Sequence, residues 1–256
     1  MTDYASNGAP LNEEGFGEAL TLLGTAREAL WAVLSVETAG CGYLSDRRPK
    51  ILFERHHFAR LTSHRYDADY PDISSPYAGG YGAGGAHQYD RLAVAEGLDA
   101  DAALRSASWG LGQILGENHA AAGFATARDM VDAFVAAEDN QLLGMAAFIA
   151  ASPMKGALQR RDWRGFAGGY NGPDYAARRY DEHLAAQYAR YLSQGSPDLT
   201  VRAAQVYLTY LGFPVGGIDG VAGAHTAAAI TDFQRQRQLP QTGLADGATL
   251  AALAGR

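Results

Sequence analysis

The stretch Thr25-Ala26-Arg27-Glu28-Ala29-Leu30-Trp31-Ala32-Val33-Leu34-Ser35-Val36-Glu37-Thr38 decides how the chain is read. Leu30, Val33 and Leu34 recur at helical spacing with Glu37 on the same face, which predicts a helix over 26–37. Thr25 followed by Glu28 predicts a capping box at its start. Gly40 and Gly42 are expected to stop it. The helix therefore closes on a carboxylate. Partly apolar surroundings and the negative end of the helix dipole both favour the neutral acid there.

Upstream, Leu20, Leu22 and Leu23 close a first helical segment. Downstream, Tyr43-Leu44 and Ile51-Leu52-Phe53-Glu54 flank Asp46-Arg47-Arg48-Pro49 and predict a β-hairpin with a longer turn. Residues 66–90 form a long loop with tyrosines at 66, 70, 77, 81 and 89 around a glycine-rich centre, a length that points to function or disorder. Beyond Asp99 the pattern is helical over about 99–107, 126–137, 139–151, 162–167 and 173–193. Ser193-Gln194-Gly195-Ser196-Pro197 reads as a linker. The tail predicts helices over Thr200–Leu211, Thr226–Arg237 and Asp246–Leu253. Ile218-Asp219-Gly220 and Leu244-Ala245-Asp246-Gly247 look like a degenerate repeat. The expected fold class is mainly α: a larger domain over residues 1–193 with one small β element, and a small three-helix domain over 198–256.

The 256 residues are 47% hydrophobic and 19% charged, which fits a globular core and excludes wholesale disorder. The longest apolar run, near Leu142–Ala151, is broken by Gly144 and too short to span a bilayer, so no integral membrane segment is expected. The net charge of −7 argues against a non-specific nucleic-acid binder. From Pro197 onward four Asp and four Arg cancel, so the first 196 residues carry the whole charge. The single cysteine, Cys41, excludes an internal disulfide and reads as a packing residue. His56, His57 and His64 lack an HExxH-type helical pairing, and no metal is expected. Met1-Thr2-Asp3-Tyr4 has neither a basic nor an apolar leader region.

Three segments carry chemistry: Val36-Glu37-Thr38, Ser108-Trp109-Gly110-Leu111-Gly112-Gln113-Ile114 and Ala167-Gly168-Gly169-Tyr170-Asn171-Gly172. A protonated carboxylic acid facing a cleft is what protonates a leaving glycosidic oxygen. In this order the segments resemble the lysozyme superfamily, nearest the goose-type lysozymes and soluble lytic transglycosylases. The pattern there is Glu-Ser, then Ser-x-Gly-Leu-x-Gln-Ile, then Ala-Tyr-Asn. Thr38 departs from it, as does the extra Gly169 before Tyr170. Arg48-Pro49-Lys50-Ile51-Leu52-Phe53-Glu54-Arg55-His56 is more specific. With Ser106–Gly110 and Gln113–Asn118 it resembles the N-acetylmuramidase domain of modular phage endolysins, over roughly residues 10–190. The tail resembles the type-1 peptidoglycan-binding domain through Val201, Gln205, Leu208, Leu211-Gly212, Asp219-Gly220, Gly223, Thr226, Ala229, Phe233-Gln234, Leu239, Gly243-Leu244 and Asp246.

The resemblance implies a lysozyme-like α+β catalytic domain and a peptidoglycan hydrolase anchored to the wall by its tail. The expected bond is the β-1,4 link between N-acetylmuramic acid and N-acetylglucosamine. Glu37 is the expected general acid. Glu54 is preferred as second carboxylate because it alternates away from Ile51 and Phe53, with Asp46, Asp67 and Asp69 as other candidates. Ser108, Gln113, Tyr170 and Asn171, with Tyr77 and Tyr81 in the long loop, are candidate substrate-binding residues. Each has a structural alternative: amides satisfying backbone groups, or rings packing within the fold. Trp109 reads as core. In the tail, Asp219-Gly220 makes a turn and Thr226 caps a helix. No cofactor is needed. The expected partner is peptidoglycan and the expected state a monomer, made in the host cytoplasm without a signal peptide and acting on the wall after release. Rival readings are a lytic transglycosylase giving anhydro-muramic ends, a non-catalytic wall-binding protein, and a chitinase-type enzyme.

Overall fold

A computed structural model describes residues 4–38 and 40–255. Met1–Asp3, Ala39, Arg256 and the side chains of Pro173 and Asp174 lie outside the description, and with them most of the N-terminal leader reading. In chain order the elements are α1 (Glu13–Leu23), α2 (Arg27–Glu37), β1 (Ile51–Phe53), α3 (Arg55–Leu61), α4 (His87–Leu98), α5 (Ala100–Arg105), β2 (Ala107–Trp109), β3 (Ile114–Leu115), α6 (Ala127–Ala136), α7 (Glu138–Ala150), α8 (Met154–Arg160), α9 (Trp163–Asn171), α10 (Tyr180–Gln194), α11 (Leu199–Tyr210), α12 (Ala224–Gln236) and α13 (Gly247–Leu253). Among the described residues no single helix is long and apolar enough to cross a membrane. The described chain forms two compact units, one of residues 4–9 and 42–151, the other of 10–41 and 152–255.

The first unit is built on an antiparallel sheet of order β1-β2-β3. The predicted hairpin survives only as a single antiparallel bridge, Tyr43 to Pro49. β1 pairs instead with β2, Leu52 opposite Ser108, and β2 turns back into β3. Three residues on each side offer few cross-strand contacts, so burial decides the partner. Phe53, Ala107 and Trp109 are fully buried, with Trp109 against Tyr89 and Tyr4.

The turn between β2 and β3 is pinned from α7. The Gln141 side chain accepts from Leu111 N at 2.7 Å and donates to Phe134 O at 2.8 Å. Gly110 is required beneath it: its φ is +68° and a Cβ would come within 2.7 Å of that amide. Glu138, buried, accepts from Gly42 N at 2.8 Å. Gln141→Leu strands the buried Leu111 N–H. A cost of about 2–3 kcal/mol is expected, or a fall in Tm of about 4–10 °C in a chain this size. A thermal melt unchanged within a degree would show that the pin carries no stability.

Residues 62–86 carry no helix or strand, as the long loop predicts, but α4 begins at His87 and ties the loop down. The buried Gln88 amide donates to Tyr81 O and Ala83 O, both at 2.7 Å, and accepts from Phe53 N. The helical pattern of 87–98 went unread because a charged outer face dilutes it.

In the second unit, α1 is capped by Asn12, whose carboxamide oxygen accepts from Glu14 N and Gly15 N. The expected capping box on α2 does not form. Ala26 is the N-cap and makes no side-chain bond. The helix starts one residue later than expected, with Ala26 rather than Thr25 at the N-cap position, and Arg27 pairs with Glu13 and lies over Phe16. α2 buries Ala29 through Leu34 and packs along α10. α8, between two expected helices, was missed because its seven residues show too few turns for a period.

The tail has its expected three helices. Asp198 caps α11 through Thr200 N and Val201 N, and Asp246 caps α13 through Thr249 N. Their core is Ala204, Leu208, Val215, Ala229, Ile230, Phe233 and Leu253. The repeat is real, but its register differs from the expected one. Buried Gln205 accepts from Asp219 N and Gly220 N and donates to Asp219 Oδ1 and Thr226 Oγ1. Buried Gln234 accepts from Gly243 N and donates to Thr242 Oγ1 and Thr249 Oγ1. Asp219-Gly220 thus matches Thr242-Gly243, not Asp246-Gly247. Gly220 and Gly243 share the left-handed turn, φ +71° and +67°. Thr226 is not a cap; Gly223 holds that place, and Thr226 lies buried in the Gln205 network.

Candidate active site

Glu37 is the last residue of α2 because Thr38 ends the helix. Thr38 is extended, φ −117°, and both its N–H and its hydroxyl donate to Leu34 O. The carboxyl is half-buried. Burial pushes it from 4.5 up to about 7, and one hydrogen bond opposes the shift: Asn171 Nδ2 donates to Oε1 at 2.9 Å. Asn171 closes α9, so the ends of two helices meet at the acid. Tyr170, its neighbour, stacks on Phe166 at 5.7 Å and 13°. Burial, then the charge of Glu37, pushes the Tyr170 hydroxyl upward, which keeps it a neutral donor. The structure thus brings Glu37, Tyr170 and Asn171 together, from residues 133 apart or more in sequence.

The same end of α2 carries the tail. Arg202, buried, donates from Nη2 to Gly40 O at 2.7 Å. Gly40 has φ +85°, and a Cβ there would meet the Ile218 side chain and carbonyl at 3.2 Å. Gly40→Ala is expected to loosen this seam and lower Tm by several degrees, about 1–2 kcal/mol of left-handed strain plus the clash. An unchanged melt would exclude the seam as a stabilising contact.

In the other unit, Glu54 precedes α3 at the end of β1. Ser108 Oγ, across the sheet, lies 3.5 Å from Glu54 Oε1, and His56 Nε2 lies 3.9 Å from Oε2. His57 follows, its ring centroid 4.4 Å from that of His56. Asp46 has a different occupation. Burial raises its carboxyl, but the Arg48 side chain and backbone bonds outweigh that and hold it below the ordinary range. It accepts from Arg48 Nη2 at 2.6 Å and closes the turn before Pro49. Asp67 is held low first by a short hydrogen bond from Ser74, then by His64.

Gln113 has φ +48°, and its amide nitrogen donates to Gly110 O at 2.8 Å and Lys50 O at 3.2 Å. Tyr77 is 75% exposed and Tyr81 38%, which leaves both rings open to a large ligand. Cys41 is buried, as packing requires. Asp219 and Gly220 form the turn expected of them, held by Gln205. The sequence reading missed Glu138 and Gln141. A Glu-x-x-Gln pair on one face of an otherwise apolar helix is the signal that could have shown them.

A half-buried carboxyl raised to about 7 and closing a core helix, in an α-rich chain that also carries a small sheet, fits a lysozyme-like glycoside hydrolase. Residues 26–192 match the family model for N-acetylmuramidase, and residues 198–253 match one described as a peptidoglycan binding domain. The chain belongs to the N-acetylmuramidase family. No curated protein gives a significant match. Among solved structures it is similar to the Burkholderia AP3 phage endolysin, with a TM-score of 0.69 and 36% identity over 72% of each chain. It is a peptidoglycan hydrolase with a wall-binding module.

Proposed function

We propose that the chain cleaves the β-1,4 bond between N-acetylmuramic acid and N-acetylglucosamine by hydrolysis. Glu37 is the general acid that protonates the leaving oxygen. The observation that supports this is its carboxyl, raised to about 7 by burial and aimed by the Asn171 amide. At neutral pH such a group is substantially protonated and still able to return as a base. Glu54 is the carboxylate that assists the attacking water. Its neighbours are Ser108 and His56, and among the described residues no arginine pairs with it, whereas Asp46 is committed to Arg48. Tyr170, Ser108, Gln113, Tyr77 and Tyr81 bind glycan. The tail raises the local concentration of wall at the acid.

Mass spectrometry of digested peptidoglycan tests the reaction. Reducing N-acetylmuramic ends carrying one added water are expected. Anhydro-muramic ends as the main product would make the enzyme a transglycosylase, and free N-acetylglucosamine reducing ends would move the cut to the other bond.

Asn171 is proposed as a positioning residue. Its hydrogen bond lowers the Glu37 pKa, so Asn171→Ala should move the alkaline limb of the pH–rate profile upward while cutting the maximal rate about tenfold or more through lost orientation. A rate loss with the limb unmoved would leave Asn171 a merely structural residue.

A further inference from the structure

Glu54, His56 and His57 fall within four consecutive positions, 54–57, at the end of β1 and the start of α3. A strand-to-helix corner turns these neighbours toward one another. One carboxylate oxygen and one ring nitrogen from each histidine all lie within 4.8 Å of one another. All three side chains are half-buried rather than splayed into solvent. His56 Nδ1 is buried and makes no hydrogen bond.

We propose that Glu54, His56 and His57 form a binding site for a divalent transition-metal cation of the zinc type. Two imidazoles and one carboxylate are a donor set that zinc accepts, with a fourth position left to water. Tetrahedral zinc at about 2.0–2.1 Å from nitrogen and oxygen needs donors about 3.4 Å apart. The His56–Glu54 pair, at 3.9 Å, is already close to that. Rotations of the side chains supply the rest, since all three sit on one short segment.

The surroundings support the cation. Glu117 lies 3.3 Å from His57 Nδ1, where a carboxylate can orient a metal-bound imidazole through its other nitrogen. Arg60 is paired with Glu117, and its Nη2 also lies 3.1 Å from His57 Nδ1; binding of the metal through the other His57 nitrogen requires that contact to give way to an Nδ1–H donated to Glu117. Arg55 turns away to the Pro71 carbonyl. Ser108 steadies the far carboxylate oxygen of Glu54. Two nitrogens out of three donors disfavour calcium and magnesium, which prefer oxygen. The site has no HExxH spacing because its residues sit at a strand-to-helix corner, not on one face of a helix.

Isothermal titration of zinc chloride into the full chain at pH 7.5, in a non-chelating buffer, tests the site. One zinc per chain with a micromolar Kd is expected, and no heat with calcium. His56→Ala and His57→Ala should each weaken zinc at least tenfold. His225→Ala, on the exposed surface of the tail, should leave it unchanged. Zinc should raise the Tm of the wild type and not that of the H56A/H57A double variant. If the double variant melts early without zinc, the same comparison is made with Glu54→Gln, which keeps the side-chain shape and removes the charge. Wild type without a zinc isotherm overturns the proposal. So does equal affinity in wild type and the histidine variants, or calcium binding as tight as zinc. None of these readouts depends on hydrolytic activity, so the site stands or falls apart from the role of Glu54 in the reaction.

Discussion

Glu37→Gln should lose wall clearance by about 10²–10⁴-fold, the range for removing a general acid, while pulling down with cell walls as the wild type does. Glutamine keeps the shape of the side chain and can still meet the Asn171 amide, so the site stays formed. What is lost is the one proton the leaving oxygen needs. A turbidity assay and a sedimentation assay on the same preparation separate the two properties. Clearance at wild-type rate would remove Glu37 from the reaction. Loss of pull-down together with clearance would mean that the substitution had damaged the fold.

The same carboxyl makes two pH predictions. Activity requires protonated Glu37, so kcat/KM should fall as pH rises through about 7, approaching tenfold per unit beyond it. Stability moves in the same direction. The group binds its proton more tightly when folded, about 7 against an ordinary 4.5, so between those values the native state holds more protons than the unfolded one. Its contribution is fully present below about 4.5 and is lost as pH rises through about 7. The loss is about 3 kcal/mol. Glu37→Gln should therefore melt with the wild type at pH 4 and several degrees above it at pH 9. A variant less stable than wild type at pH 9 would show that the buried charge costs nothing.

Gln205→Ala should disable the tail. The tail of about 56 residues is near the lower size for an independent fold, where net stability rarely exceeds about 3–5 kcal/mol. Gln205 meets Gly220 N and Thr226 Oγ1, both buried, and two groups of Asp219 with one side chain. Each buried group left unpaired costs about 1–3 kcal/mol. The sum reaches the whole stability of the module. Amide signals of residues 198–253 should collapse to unfolded dispersion, and wall pull-down should fall at least tenfold. Hydrolysis of soluble glycan oligomers should fall less than pull-down does, because Glu37, Tyr170 and Asn171 lie outside the module and only the Arg202–Gly40 seam beyond α2 is lost with it. Gln234→Ala, in the second copy of the motif, should act alike. Wild-type dispersion and pull-down in Gln205→Ala would mean that the loop holds its shape without the glutamine.

Much of the fold was legible because its signals are local. Apolar spacing marks α2, and the carboxylate at its end is simply the residue before Thr38. The Tyr43-Leu44 hairpin is a sound local motif that a tertiary competitor displaced, since β2 took β1, and the Thr25–Glu28 box fails because α2 starts one residue later, from Ala26. The repeat in the tail was visible as Asp-Gly pairs, but its register rests on what Gln205 and Gln234 reach. That is a matter of distance in space.

By itself the sequence determined most of the helices, the carboxylate at the end of α2 and the family to which the motifs belong. Periodicity, capping and motif order are properties of neighbours along the chain. Only the tertiary structure decided that Glu37 is a neutral-range acid with Asn171 on its oxygen. Only it decided that Asp46 is spent on Arg48 and that Glu54 stands with two histidines. A pKa depends on desolvation and on the charges and donors within a few ångströms, and none of those can be assigned until distant segments pack.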